Sequence, residues 1–424
     1  MKTYLIKKLL QKDGWKNELY ITVDENNLIT ELSNEKPEGE FFPMDGYLIP
    51  GFKNAHSHAF QYAMGGLNES IPESAEGDDF WSWRENMYSL ALSISPDELQ
   101  EIATNLYMEM RRHGYTHVAE FHYLHHDTEG LPYKNPAEMS ERLMVAANQA
   151  GLALTLVPIF YQMGGFNLEP NERQRRFISK DVDSYLELYE EIKKSAEKFN
   201  NVIVGAGVHS LRAVKNEDII KLFKKLPSGI PKHIHISEQI MEVRDCVSHL
   251  GKRPVEWLCE NVKLNEEFHL VHSTHINDEE LKMIIDAKAN VVLCPSTEAN
   301  LGDGLFPLKD FHLAGGNYSI GTDSHIGLSP MEELRWMEYG VRLIEKKRNP
   351  LCKPGENSAD LIFHKTQEAG LMAMGRSAND YFEVGNNFGG LLIQTDNPLF
   401  KDKPEEAILS TLIYSAGPEH LKYR

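Results

Sequence analysis

From residue 51 onward the chain alternates short apolar runs with longer amphipathic stretches. The runs are GFKNAHSH (51–58), HVAEFHYL (117–124), LALTLVPIF (152–160), NVIVGAGVHS (201–210), KHIHISE (232–238), FHLVHSTH (268–275), NVVLCPSTE (290–298) and NYSIGTDSH (317–325). Strands that read as unbroken apolar runs are buried on both faces, and parallel strands need a helical crossover between them. Residues 95–114, 181–194 and 277–288 carry the helical period between runs. The first begins with Ser95 and Pro96, has Glu98 three residues after Ser95, and closes at Gly114, which is a capping box at one end and a left-handed cap at the other. Eight strands alternating with helices predict an α/β protein with a (β/α)8 TIM-like barrel. An open doubly wound sheet is the alternative. Polar residues at the C-terminal end of nearly every run favour the barrel, because barrel enzymes build their sites there.

Residues 1–50 have a different texture. Four short strand-like segments, YLIKKLL, ELYITVD, NLITEL and GYLIP, are separated by turn residues, and a further one, GGLLIQTD, lies in the tail. A smaller β-sandwich-like domain formed by both chain termini follows, with 1–50 as its N-terminal part, 51–380 as the catalytic barrel and 381–424 as its C-terminal part. After IYSAGPEHLKYR no final strand pair is expected, so that part reads as incomplete.

Composition narrows the partners. Lys and Arg number 44 against 63 Asp and Glu, a net charge of −19. Nucleic acid and anionic membranes need basic patches and are excluded as general partners. An acidic substrate would need local cations. The four cysteines, Cys246, Cys259, Cys294 and Cys352, show no CxxC spacing, so neither a disulfide framework nor a thiolate zinc site is expected. Lys7 and Lys8 fall where a secretion signal needs apolar residues, and no uncharged apolar run reaches membrane-spanning length. A cytoplasmic enzyme is the expectation.

With 18 histidines, position has to sort ligands from core residues. His56 and His58 are two apart at the end of run one, which on a strand places both on one face about 6–7 Å apart. His235, His272 and Asp323 end runs five, six and eight. Imidazoles with a carboxylate suit a catalytic ion with an open position for water, most simply Zn2+, with Fe2+ or Mn2+ as alternatives. His233 competes with His235, His275 with His272, and His325 with Asp323. His122, His125 and His126 read as loop or pocket residues, the last two with a surface role. Glu238, three after His235, can act as a proton donor or acceptor only if the strand ends between them.

These residues resemble the amidohydrolase superfamily. HSHAFQ (56–61), FWSWRENMY (80–88), AEFHYLHH (119–126), VHSLRAV (208–214), HISEQ (235–239), GKRPVEWL (251–258), CPSTEANLGDG (294–304) and GTDSH (321–325) look like the formimidoylglutamate deiminases within it, over about residues 45–350. Tyr62 stands where an arginine is expected. No lysine ends run four, so the site resembles the mononuclear branch. The resemblance implies one divalent metal ion per subunit, held by His56, His58, His235 and Asp323, and a homodimer. It implies hydrolysis of N-formimino-L-glutamate to N-formyl-L-glutamate and ammonia. Asp323 would take a proton from the attacking water, His272 would hold the attacking oxygen, and Glu238 would protonate the leaving nitrogen. Arg84 and Arg212 would grip the carboxylates of this small dicarboxylate substrate, with Gln61, Tyr123 and His209 lining the pocket. Trp81 and Trp83 suggest a packed insertion over the site. Two rival readings stay open: a deaminase of the same branch acting on a ring such as guanine or cytosine, and a non-catalytic barrel scaffold.

Overall fold

The protein, seen in a computed structural model, is described over residues 1–67, 69–70, 80–377 and 381–423. The chain opens with four strands, β1 (Lys2–Gln11), β2 (Gly14–Val23), β3 (Ile29–Ser33) and β4 (Phe42–Ile49). The barrel strands follow: β5 (Phe52–Ser57), β6 (Tyr115–His122), β7 (Ala153–Phe160), β8 (Val202–Val204), β9 (Ala206–Val208), β10 (Lys232–Ile236), β11 (Phe268–His272), β12 (Asn290–Leu293) and β13 (Asn317–Ile320). Each of the eight predicted runs supplies a strand. The fourth supplies two short ones, β8 and β9, which both pair with β7 while β9 alone reaches β10. All neighbours in this sheet are parallel, as helical crossovers require.

The ring closes between β5 and the end of β13. Thr322 and Asp323 donate backbone N–H groups to His56 O at 3.1 and 3.0 Å, and His58 N–H donates to Asp323 O at 3.2 Å. Gly321 permits this approach: a Cβ there would meet His56 Cβ at 2.7 Å and its backbone N and O at 2.9 Å.

The tail adds β14 (Leu391–Ile393) and β15 (Leu421–Tyr423). With the first four strands they form one six-stranded sheet in the order β15-β14-β4-β1-β2-β3, the small domain built from both termini. The GGLLIQTD segment read as a strand supplies β14, and its three-residue partner β15 is too short to reveal alternation in the sequence. Side chains alternate between the faces of this sheet. Leu48 and Leu392 pack with Ile6, Leu9, Ile21 and Phe388 in a local core. Tyr47, Ile49, Leu391 and Ile393 face the other way and join the barrel's own core.

Between β5 and β6 lie a 3-10 turn (Ala59–Met64), a helix over Phe80–Ser93 and the capped helix Pro96–His113. Ser95 Oγ accepts from Glu98 N at 3.2 Å and Glu98 Oε2 accepts from Ser95 N at 2.8 Å, the reciprocal cap read from the sequence. The end of the Phe80–Ser93 helix is clamped by Arg176, which is fully buried. Its guanidinium donates to Ile94 O at 2.7 Å and His126 O at 2.8 Å. No helix among the described residues is long and apolar enough to cross a membrane.

Gly321→Ala should therefore cost stability by about 1–3 kcal/mol, the range for overpacking a tight site. Because the strain falls on His56, it should also lower metal retention. Thermal unfolding and metal analysis of the purified variant check both.

Candidate active site

Every strand end that carries a candidate residue points into one cavity. His58, Gln61, Trp83, Arg84, Tyr123, His209, Arg212, His235, Glu238, His272 and Asp323 all line it. Backbone bends deliver several of them. Ser237 (φ +53°), His272 (φ +68°), Ser273 (φ +52°) and Asp323 (φ +50°) adopt left-handed conformations, each costing on the order of 1 kcal/mol in a residue with a side chain. Hydrogen bonds hold the bends. Ser273 N donates to Ile236 O at 3.0 Å, and His275 N to Ser237 O at 2.9 Å. The bend at Ser237 ends β10 between His235 and Glu238, so both side chains reach the same cavity.

His56 Nε2 lies 3.1 Å from both His58 Nε2 and His235 Nε2. Asp323 Oδ1 is 3.4 Å from His56 Nε2 and 3.2 Å from His58 Nε2. A tetrahedral ion with ligand arms of about 2.0–2.1 Å has edges of about 3.3 Å, so these separations suit four ligands of one zinc-sized ion. The tautomers agree. His58 Nδ1–H donates to Phe121 O at 2.9 Å and His235 Nδ1–H to His209 O at 3.1 Å, which leaves both Nε2 atoms as bare lone pairs facing inward. A single Nε2 proton on His56 could satisfy only one of them. Burial, then the neighbouring His58, lowers the pKa of His56 to about 3, so the site does not supply its own cation there. The donor set fits a divalent metal.

His272 occupies the other side of Asp323. Its Nε2 is 3.7 Å from Asp323 Oδ2 and 3.6 Å from Glu238 Oε1. Its Nδ1 donates to Glu298 Oε1 at 3.2 Å. Burial opposes a charge on His272, but Glu238, Glu298 and Asp323 outweigh it and raise its pKa to about 10. Burial, reinforced by Asp323 and Glu242, pushes the Glu238 carboxyl up against the pull of His272 and Arg212. A carboxyl raised in this way can carry a proton near neutral pH. Asp323 is held well below the usual range, against its burial, by His56 and His58.

The cations stand where an acidic ligand would need them. Burial works against the charge on Arg212, and Glu242, Tyr161 and Glu238 outweigh it. Arg84 lies over the Tyr88 ring, 5.5 Å from its centroid. Gln61 donates to Tyr123 OH at 3.0 Å, and Gln61 Oε1 has no partner among the described residues. Trp83 lines the cavity as the sequence suggested; the side chain of Trp81 lies outside the described residues.

The competing histidines resolve into supports. His233 Nε2 donates to Ala373 O at 2.7 Å, tying β10 to the helix Ser358–Ala373. His325 contacts Thr322 Oγ1 at 2.9 Å and Ser57 Oγ at 3.3 Å, bracing the barrel seam. His275 stands outside the cavity, half-buried. His125 corrects the expectation of a surface role: it is 2% exposed and bonds Ile159 O at 3.0 Å, while His126 is half-buried and bonds Ile178 O at 2.9 Å. His122 is buried but does not line the cavity.

Sequence reasoning missed Glu298, Tyr88 and Tyr161. Glu298 was hidden because run seven ends early. Cys294 caps and Pro295 starts the helix Pro295–Leu301, and Glu298 reaches back to accept from Cys294 N at 2.9 Å. Tyr88 had a signal: it stands one helical turn after Arg84, hence on the same face. Tyr161 directly follows run three, where strand-end polar residues were already the criterion.

A model of the amidohydrolase family matches residues 47–379. The formimidoylglutamate deiminase of Pseudomonas aeruginosa is 38% identical over 424 residues, covering 100% of this chain and 92% of that protein. A solved amidohydrolase from Brucella melitensis is 37% identical with a TM-score of 0.91, covering 100% of this chain and 92% of the other. A guanine deaminase from C. acetobutylicum with bound guanine shares the fold, with a TM-score of 0.79 at 19% identity over 99% of this chain and 97% of the other. With its parallel barrel, its inward-facing histidines and these relatives, the chain belongs to the amidohydrolase family.

Proposed function

We propose that this protein hydrolyses N-formimino-L-glutamate to N-formyl-L-glutamate and ammonia, with His56, His58, His235 and Asp323 holding one divalent ion. The observation that carries this reading is that three of those donors, His58, His235 and Asp323, line one cavity with two arginines, Arg84 and Arg212, while His56 Nε2 lies 3.1 Å from both His58 Nε2 and His235 Nε2. The full-length similarity to the Pseudomonas aeruginosa deiminase supports the same substrate. When bound, such an ion lowers the pKa of its water toward 7 and polarises the electrophile.

The remaining work falls to side chains. Arg84 and Arg212 each offer a planar fork to one carboxylate. Gln61 Oε1, lacking a partner among the described residues, accepts an N–H of the formimino head. Asp323 takes a proton from the attacking water. His272, fixed by Glu298, donates Nε2–H to the oxygen as it adds to the formimino carbon. As the oxygen adds, Glu238 protonates the terminal nitrogen to an amine. That amine then takes the proton held by Asp323 while the added hydroxyl returns its own to Glu238, the bond from carbon to nitrogen breaks, and ammonia leaves. Zinc as the resident ion follows from the nitrogen-rich donor set. A homodimer working in the cytoplasm completes the reading, on the strength of the resemblance.

Ammonia release is the direct test. The zinc-loaded protein should turn over N-formimino-L-glutamate and leave guanine and cytosine untouched, and chelation should abolish the turnover. Release of ammonia from a ring compound, with none from the formimino compound, overturns the substrate. Glu238→Gln should lower kcat by about 10²–10⁴-fold, the usual worth of a positioned acid or base, with metal content unchanged; a fully active variant removes Glu238 from the proton path. Glu298→Ala frees the His272 ring and should lower kcat by roughly 10²-fold, as small misplacements of catalytic groups do. Steady-state kinetics beside metal analysis separates that loss from loss of the ion.

A further inference from the structure

Two buried tyrosines in the cavity wall have no part in the scheme above. Tyr88, on the Phe80–Ser93 helix, and Tyr161, just beyond β7, line the cavity beside Arg84 and Arg212. Each is 1% exposed. Their hydroxyl oxygens lie 3.4 Å apart. Behind them Gln174, also 1% exposed, donates from Nε2 to Tyr88 OH at 3.1 Å and to Tyr161 OH at 2.9 Å.

The orientation of that amide is fixed. Gln174 Oε1 accepts from Asn171 N at 3.0 Å, and a flipped amide would set two donors against each other. Both amide N–H groups are therefore committed to the two phenol oxygens. Each hydroxyl, already an acceptor, must send its own proton elsewhere. One proton can cross to the other oxygen. Among the described residues the second has no acceptor. A buried hydroxyl with an unused proton costs free energy comparable to a lost hydrogen bond, and the open direction is the cavity where the two guanidinium groups sit.

We propose that Tyr88 and Tyr161 form a hydroxyl pair, set as a donor by Gln174, that receives a carboxylate of the substrate beside Arg84 and Arg212. This rests on the dicarboxylate reading above. The arginines supply charge, and the pair supplies a donor at a fixed position that a neutral group could not exploit as well, since hydrogen bonds to ionised acceptors are about twice as strong as neutral ones. Tyr88 and Tyr161 are binding residues in this account and Gln174 is a positioning residue.

Gln174→Glu tests the direction of the pair. The carboxylate keeps the size of the amide and the bond from Asn171 N–H, but it accepts from both phenols and turns their lone pairs toward the cavity. Measured on the metal-loaded protein, KM for N-formimino-L-glutamate should rise roughly 10- to 150-fold, the worth of a hydrogen bond to a charged group. The loss should fall on KM and leave kcat and metal content near wild type, which a merely structural defect would not do. The Tyr88→Phe/Tyr161→Phe double variant should show a loss of the same order and guards against misfolding of the first. Calorimetric binding of glutarate, a bare dicarboxylate, gives a second readout that needs no turnover. Wild-type glutarate affinity in the double variant overturns the proposal. Weakened glutarate binding together with a wild-type protein inert toward the formimino compound would uphold the carboxylate subsite and remove the substrate reading alone.

Discussion

The seam between the first and last barrel strands is the constraint on which the site depends. Three backbone hydrogen bonds join the segment 56–58 to 322–323, so the closure that completes the barrel also brings Asp323 Oδ1 to 3.4 Å from His56 Nε2 and 3.2 Å from His58 Nε2. No side chain would fit at Gly321 without moving His56. His325 and Ser57 pin the same seam from beside it. Fold stability and donor geometry are therefore one problem here, solved by the same few residues.

A second constraint is charge. Glu238, Glu242, Glu298, Asp303 and Asp323 are all buried around His272 and Arg212. Isolated buried charges are expensive, and these acids do not share the burden equally. Asp323 is held well below the usual carboxylate range, against its burial, by the neighbouring His56 and His58. Glu238 and Asp303 are pushed toward their neutral forms by burial first and by neighbouring carboxylates second. Such a split gives acid and base roles to carboxyls of the same kind by environment alone. The protein's net negative charge raises the bar for binding an anion, and in the proposed reading the buried guanidinium of Arg212 answers it locally.

The sequence revealed the ends of strands better than what lay behind them. His56 and His58 announced themselves by a spacing that only a strand could use. His235 was separable from His233 by its place nearer the strand end. Glu238 depended on a strand stopping in time, which the left-handed Ser237 accomplishes. What stayed hidden has a common cause. Glu298 acts from a helix start that looked like the end of a strand run. Arg176 works from a loop with no periodicity at all, holding the Phe80–Ser93 helix by its backbone carbonyls. His125 looked like a loop residue and is a buried brace. Each of these roles is set by contacts between segments far apart in the chain, and local pattern carries no record of such contacts. The last strand, β15, escaped for a simpler reason, its length of three residues.

That asymmetry also explains where recognition is built. The proposed metal ligands sit on strand ends, whose positions the barrel dictates. Arg84 and Tyr88 sit on a helix inserted between β5 and β6, and Arg212 follows β9 in a short turn. The inserted helix is placed by Arg176 at one end and by contacts such as Gln174 to Tyr88 along its face. A barrel of this family can thus keep its metal chemistry constant while the inserted elements decide what is brought to it. In the proposed reading, Arg84 and Tyr88 on the inserted helix, with Arg212 and Tyr161 just past their strand ends, select carboxylates over a flat ring. On that proposal, specificity resides chiefly in segments the barrel does not need in order to close.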